Sequence, residues 1–163
     1  MKALEQAILA MTEFDAGSPK RIQHFLKVHS FARLIGLAEG LDKETQQRLE
    51  LAAVVHDIGI RPAQEEYGRY DGKLQEQVGP PYARKLLEEL GVPAETVDRV
   101  AFLVAHHHTI TDVEGDDWQI LLEADYLVNL YEKEAPADAV RNVLSSVFRT
   151  ETGKRICRTM FGV

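Results

Sequence analysis

The sequence predicts an all-α protein, and three observations support this class. Segments with the 3.6-residue apolar period of amphipathic helices recur along the chain, whereas the alternating Val, Ile and Thr runs typical of strands are absent. Prolines and glycines stand where those segments begin and end. The 163 residues suit one domain with its own hydrophobic core, which we place over 1–163.

Three helices are predicted in the first part of the chain, covering about Lys2 to Phe14, Ser18-Pro19 to Gly40, and the residue after Asp42 to near Gly59. Ser18 is a typical N-cap, and Pro19 loses no hydrogen bond at the first helical position. The third helix carries the apolar run LELAAVV at 49–55, which indicates that its last turn is buried. The segment 60–62, which ends in proline, opposes its continuation.

The segment Pro62 to Gly79 is polar and contains three glycines, so we predict a loop with at most one short helical piece. Loops of this length often serve functional sites. Five more helices are predicted after it, namely Pro80-Pro81 to Gly91, Pro93 to the histidines at 106–108, one from Trp118 after an acidic turn at 112–117, one from Pro136, and a short one beyond Gly153.

Composition and charge exclude several classes of function. A net charge of -7 argues against a duplex nucleic-acid partner. No apolar run approaches the roughly 20 residues of a membrane-spanning helix, and Glu5 and Glu13 interrupt the N-terminal segment where a signal peptide needs a continuous apolar stretch. The single cysteine, Cys157, cannot form an internal disulfide. We therefore expect a cytoplasmic protein with no membrane partner, whereas its oligomeric state is not predicted.

Histidines and carboxylates interrupt the apolar faces of several predicted helices. At about 100° per residue, His24 aligns with Val28 on the apolar face of its helix, and Lys20 and Arg21 lie one turn earlier on nearly the same face. His29 falls on another face, and we interpret it as a core or rim histidine with one hydrogen bond, outside the site.

Two further helices show the same feature. His107 continues the apolar face of its helix, while His106 and His108 diverge to either side as alternates, and a solvated or helix-capping triplet is the competing interpretation. Asp125 lies between Leu121 and Val128 at helical spacing, which places a carboxylate on an apolar face.

His56 and Asp57 directly follow the apolar run of the third helix. Asp57 is therefore a carboxylate at the end of a buried element, and it requires a compensating group. Adjacent helical residues diverge by about 100°, so the pair converges on one centre only if the helix ends there, which Gly59 permits. Taken alone, a His-Asp pair is better interpreted as an ordinary helix end that forms an ion pair.

Together these residues offer nitrogen and oxygen ligands without a thiolate. Such a set suits a catalytic divalent metal, Mn, Fe, Co, Ni, Zn or Mg, better than a closed structural zinc site. The chain contains no phosphate-binding glycine loop and no serine-nucleophile motif. Cys157 is best interpreted as a thiol on a helix face.

Four segments in order resemble the HD-domain superfamily of metal-dependent phosphohydrolases: RIQHFLKV at 21–28, LAAVVHDIG at 51–59, VAHH at 104–107 and EADYL at 123–127. The resemblance spans about 19–130, followed by a C-terminal helical extension. It implies a compact multi-helix HD-domain-like bundle in which His24, the pair His56-Asp57 and Asp125 bind a metal ion.

The resemblance leaves the number of ions open. Members of this superfamily with two metals usually carry two further histidines between the His-Asp pair and the last aspartate. The region 73–81 has no histidine, so the first extra ligand is missing or Glu76 substitutes for it. His107 fits the second position, with His106 and His108 as alternates. Asp57 would bridge the ions if there are two.

The resemblance also implies a reaction, the hydrolysis of a phosphate monoester or diester, often of a nucleotide. Asp57 is expected to orient a metal-activated water and accept its proton, while Lys20, Arg21 and Lys73 are candidates to neutralise the phosphoryl group. Two other classes remain as alternatives. One is a catalytically silent HD domain that senses a nucleotide, and the other is a helical interaction protein whose polar residues are structural.

Overall fold

The computed structural model describes residues 1–163 and consists of nine α-helices without a β-strand. The helices are α1 (Ala3–Phe14), α2 (Pro19–Ala38), α3 (Lys43–Val55), α4 (Ile60–Tyr67), α5 (Gly72–Glu89), α6 (Ala94–His106), α7 (Asp116–Glu132), α8 (Ala137–Ser146) and α9 (Glu151–Phe161). The predicted all-α class is confirmed. None of these helices combines the length and apolar character needed to cross a bilayer.

Helices α3 and α7 form the centre of the bundle. Most residues of both are buried, because their apolar side chains surround the helix instead of forming one stripe. Helix α2 packs against both of them, α6 packs against α3, and α5 lies along α6. Helices α8 and α9 pack against each other, and α9 also contacts α2 and α7.

The prediction of a loop over Pro62 to Gly79 is wrong, because most of this segment is helical. Pro62 is the third residue of α4, where a backbone N–H has no acceptor within the helix, so proline loses nothing there. Gly68 ends α4 with φ +69°, and the Asp71 carboxylate then caps α5 by accepting the backbone N–H of Leu74 at 3.2 Å.

Pro80 and Pro81 lie inside α5 and do not begin it. Local propensity is overridden here by packing, since α5 lies directly on the turn between α3 and α4. A Cβ on Gly59 in that turn would lie 2.8 Å from the backbone nitrogen of Gly79. A Cβ on Gly79 would lie 2.8 Å from Cγ1 of Val104 in α6. The two glycines therefore permit a close approach that positions the turn carrying the His-Asp pair.

A buried carboxylate ties the C-terminal helices to the centre. Glu123 of α7 is fully buried and accepts hydrogen bonds from Gln119 Nε2 at 2.6 Å and from Thr150 Oγ1 at 2.6 Å. It also accepts the backbone N–H groups of Arg149 at 3.0 Å and Thr150 at 3.1 Å. Because four donors meet this carboxylate, its burial is compensated, and the start of α9 is held against α7.

Candidate functional site

Histidines and aspartates from four parts of the bundle meet at one buried centre. His24 comes from α2, His56 and Asp57 from the turn after α3, His107 from the end of α6, and Asp125 from α7. Helix α3 ends at Val55, so the adjacent residues 56 and 57 escape the divergence that a continuing helix would impose.

The two aspartate carboxylates lie between the imidazoles. His24 Nε2 is 3.2 Å from both Asp57 Oδ2 and Asp125 Oδ1. His56 Nε2 is 3.4 Å from Asp57 Oδ2 and 3.3 Å from Asp125 Oδ1. On the other side, His107 Nε2 lies 3.3 Å from Asp57 Oδ1. Asp57 is thus shared by all three imidazoles, and the structure brings together the five residues predicted as metal ligands.

Each imidazole is oriented through its second ring nitrogen. Nδ1 of His56 donates to the backbone carbonyl three residues earlier at 2.7 Å, and Nδ1 of His107 does the same at 2.6 Å. Nδ1 of His24 instead donates to Glu132 Oε1 at 3.0 Å. These bonds assign the proton to Nδ1, and they direct all three Nε2 atoms towards the carboxylates.

Charge governs the protonation of this centre. Burial lowers the pKa of His24, but its hydrogen bonds to Asp125 and Asp57 outweigh burial and raise the pKa to about 10. Burial likewise lowers the pKa of His56, and the charges of Asp57 and Asp125 raise it well above its usual range. Burial raises the pKa of Asp57, yet the charge of His56 and hydrogen bonds from His107 and His24 hold that pKa well below its usual range. The carboxylates are therefore ionised, and the positive charge beside them can come from protonated imidazoles or from a bound cation.

The residues present fit a metal ion. His56 Nε2 is completely buried and has no hydrogen-bond partner, although two carboxylates lie nearby. A buried nitrogen without a partner is costly, and a cation held between the imidazole and the carboxylates would satisfy it. The ligand atoms of His24, His56 and Asp57 all lie within 4.8 Å of one another, as do those of Asp57, His107 and His108. Both groups can hold a divalent metal, with Asp57 common to the two.

The histidine triplet is divided among three environments. His107 faces Asp57, whereas His108 Nε2 lies 3.0 Å from Gln75 Oε1. His106 is turned away from the centre, because its ring stacks on Phe102 at 4.1 Å between centroids.

Glu76 does not face the centre either. Its carboxylate accepts the backbone N–H of His108 at 3.1 Å and the hydroxyl of Thr109 at 2.7 Å. The neighbouring Gln75 is the α5 side chain directed at the histidines, with Oε1 3.4 Å from His107 Nε2. The structure therefore does not support Glu76 as a substitute ligand, since it caps the end of α6.

A cavity of about 420 Å³ opens beside the centre and is lined by both His24 and Asp57. Lys20 and Arg21 line it as well. Lys73 does not line this cavity, because α5 begins at Gly72 and holds Lys73 on an exposed face. His29 lies elsewhere, with Nε2 2.9 Å from Glu50 Oε1.

Sequence reasoning missed several residues of the cavity: Asp15, Asn129, Glu132 and Lys133. Asn129 and Glu132 follow Asp125 by four and seven residues, which places all three on one face of α7, so helical spacing could have found them. Asp15 gives no such signal. It lies in the turn after α1, and only the tertiary structure buries it beside the site.

A helical bundle with a buried histidine-aspartate centre beside a polar cavity defines a class of metal-binding all-α domains. The HD domain family model matches residues 21–143, and the chain belongs to this family. A crystal structure of a predicted HD superfamily hydrolase from an uncultured Thermotogales bacterium is similar, with a TM-score of 0.71 and 26% sequence identity. The similarity covers 98% of this chain and 85% of that chain. No curated protein matches the sequence.

Proposed function

We propose that this protein is a metal-dependent phosphohydrolase acting on a phosphate monoester or diester, with a nucleotide as the expected substrate. The observation that carries the proposal is the buried Nε2 of His56, which lacks a partner among two ionised carboxylates and two further imidazoles. Membership of the HD domain family and similarity to a protein described as a predicted hydrolase support it.

In this proposal His24, His56, Asp57 and Asp125 hold one divalent cation. Asp57 presents its second oxygen to His107, and His108 lies within reach of the same pair, so these residues supply a second, less complete position. These residues would hold one or two ions, and Asp57 belongs to both groups.

When bound, the cation supplies a water of lowered pKa and polarises the phosphoryl oxygens. Asp57 orients that water and accepts its proton as it attacks phosphorus. Lys20 and Arg21 line the same cavity and neutralise negative charge that develops on the phosphoryl group. Glu132 holds the His24 ring in place throughout, because it accepts the Nδ1 proton.

The cavity agrees with a small substrate. Its volume of about 420 Å³ lies within the range of about 300–1,000 Å³ typical of small-molecule sites. Met11 and Phe25 contribute apolar walls, while Tyr70 stands at half exposure on its rim. One wall is therefore apolar and another cationic, as a nucleoside phosphate requires.

The test begins with protein purified without a metal-affinity tag. Elemental analysis should find a stoichiometric divalent metal, and hydrolysis of p-nitrophenyl phosphate and of nucleotides should depend on it. His56→Gln and Asp57→Asn should abolish hydrolysis while circular dichroism shows an unchanged helix content. His29→Gln is the matched control and should keep the rate, since His29 pairs with Glu50 outside the site. Unchanged rates in the two site variants, or bound metal without turnover on any ester, would contradict the proposal.

A further inference from the structure

Asp15 is a buried carboxyl group that the proposed reaction has not used. Only 5% of the residue is exposed, and its side chain makes no hydrogen bond or ion pair with another protein group. Its backbone is fixed, because its N–H donates to the carbonyl of Met11 at 3.0 Å and its carbonyl accepts the N–H of Ser18 at 2.9 Å. Its oxygens are not fully enclosed, because the residue lines a cavity, and a carboxyl group held this deep without a protein partner is placed to meet a ligand there.

Asp15 lines the same cavity as Asp57 and His24. It comes from the end of α1, whereas Asp57 comes from the turn after α3, so the two carboxyl groups enter the cavity from different elements. A substrate bound in this cavity would therefore face two carboxyl groups of the protein, that of Asp57 at the metal centre and that of Asp15 on a separate wall.

The cations near Asp15 are not paired with it. Arg61 of α4 donates to the backbone carbonyl of Phe14 at 2.6 Å and to the carboxylate of Glu65 at 3.1 Å. The charged groups that act on Asp15 are Arg21 from α2, Asp57 from the turn after α3, and Arg61 from α4. Burial raises the pKa of Asp15 most, Asp57 adds to this, and the two arginines lower it, with a net rise. The group keeps its proton to a higher pH than an ordinary aspartic acid.

We propose that Asp15 is the catalytic acid of this hydrolysis and protonates the oxygen of the departing alcohol. The inference rests on the proposed function, and it narrows the substrate class. A poor leaving group such as the alkoxide of a sugar needs a proton as it departs, whereas a stabilised phenolate does not. The physiological substrate is accordingly a phosphate ester of an aliphatic alcohol, such as a nucleotide esterified at its sugar.

The step balances in atoms and charge. Water forms the new bond to phosphorus and gives one proton to Asp57, while the bond from phosphorus to the ester oxygen breaks. The Asp15 carboxyl gives its proton to that oxygen, and the alcohol leaves neutral. Asp57 then releases its proton to solvent and Asp15 takes one up, which restores both groups for the next turnover.

The experiment compares two substrates in the full-length, metal-loaded protein. Wild type and Asp15→Asn are assayed on glycerol phosphate, an alkyl ester, and on p-nitrophenyl phosphate. We expect Asp15→Asn to lower kcat/KM on the alkyl ester by about 100-fold or more, and on the aryl ester by less than about threefold. The fall of kcat/KM at high pH on the alkyl ester should disappear in the variant. Glu13→Gln, an exposed neighbour on α1, is the control and should match wild type.

A second readout is independent of turnover. Carbon-13 NMR of the Asp15 carboxyl, assigned by its loss in Asp15→Asn, should show a pKa above the ordinary value of about 3.9. Equal losses on both substrates would overturn the proposal, because a structural or binding role affects both esters. Unchanged rates on both would overturn it as well. A wild-type protein inactive on both esters would overturn the proposed function, and this inference with it.

Discussion

At the scale of single residues, the three imidazoles of the centre differ in what orients them. His56 and His107 donate Nδ1 to carbonyls of their own chain segment, so any sequence that forms those turns orients the rings. His24 lies within a helix and relies on Glu132, a side chain 108 residues away in sequence. Lys27 Nζ, 3.1 Å from the same carboxylate oxygen, helps to hold Glu132 in place. His24 is thus the imidazole whose orientation one substitution can release.

Glu132→Gln should weaken metal binding while leaving the fold intact. The variant loses the charged acceptor for His24 Nδ1–H, and loss of such a partner typically costs about 10–100-fold in metal affinity. Isothermal titration with Mn²⁺ measures this change as a higher Kd. Glu89→Gln, which removes an exposed charge from α5, is the control and should bind like wild type. An unchanged Kd in Glu132→Gln would show that His24 needs no carboxylate to hold it.

At the scale of elements, the turn between α3 and α4 is placed by contact between glycines. Gly59 has an ordinary helical backbone with φ −74°, so alanine there meets no conformational penalty. Its added Cβ would nevertheless lie 2.8 Å from the backbone nitrogen of Gly79 and 2.9 Å from its Cα. A backbone cannot rotate away as a side chain can, so α5 must move from the turn that carries Asp57.

Gly59→Ala should therefore destabilise the protein by about 1–3 kcal/mol, the usual cost of overpacking. Gly79→Ala should cost less, because its Cβ meets a methyl group of Val104 and alanine recovers about 1 kcal/mol of helix propensity. Urea unfolding of both variants measures the two free energies of unfolding. A smaller loss of unfolding free energy in Gly59→Ala than in Gly79→Ala would mean that the contact between the two glycines does not position the turn between α3 and α4.

At the scale of the whole molecule, the centre joins helices that are distant in sequence. His24 and Asp125 stand 101 residues apart and share one interaction at 3.2 Å, and α6 reaches the same point through His107. A ligand that binds all of these segments binds only the folded chain, so its binding energy adds to the stability of the whole bundle.

A divalent metal should accordingly raise the melting temperature. At a concentration of about 100 times its Kd, the ion adds about 2.7 kcal/mol, which corresponds to roughly 5–10 °C for a chain of this size. Differential scanning calorimetry with Mn²⁺ and with a chelator measures the shift. His56→Gln should lose this dependence. If the melting temperature of the wild type is the same with Mn²⁺ and with a chelator, metal binding at the centre is contradicted.

Prediction from sequence succeeded where the signal was local. The start of α2 follows from proline at its first position, although the Ser18 side chain makes no capping hydrogen bond, and the start of α3 follows from the Asp42 cap. The inward direction of His24 follows from the helical period. It failed over Pro62 to Gly79, where polarity and glycine content indicate a loop but Gly59, Gly79 and the cap at Asp71 produce two packed helices. Close approach of two backbones depends on both segments together, so the sequence of either segment alone does not predict it.

The sequence by itself determined the all-α class, the apolar faces and the residues that belong to the HD pattern, because periodicity and motif order are carried by neighbouring positions. Only the tertiary structure decided which side chains share the centre. It paired Glu132 with His24, turned Glu76 and His106 away, and buried Asp15 in the wall of the cavity. Those outcomes depend on how whole helices pack against one another, and packing is a relation between residues far apart in the chain.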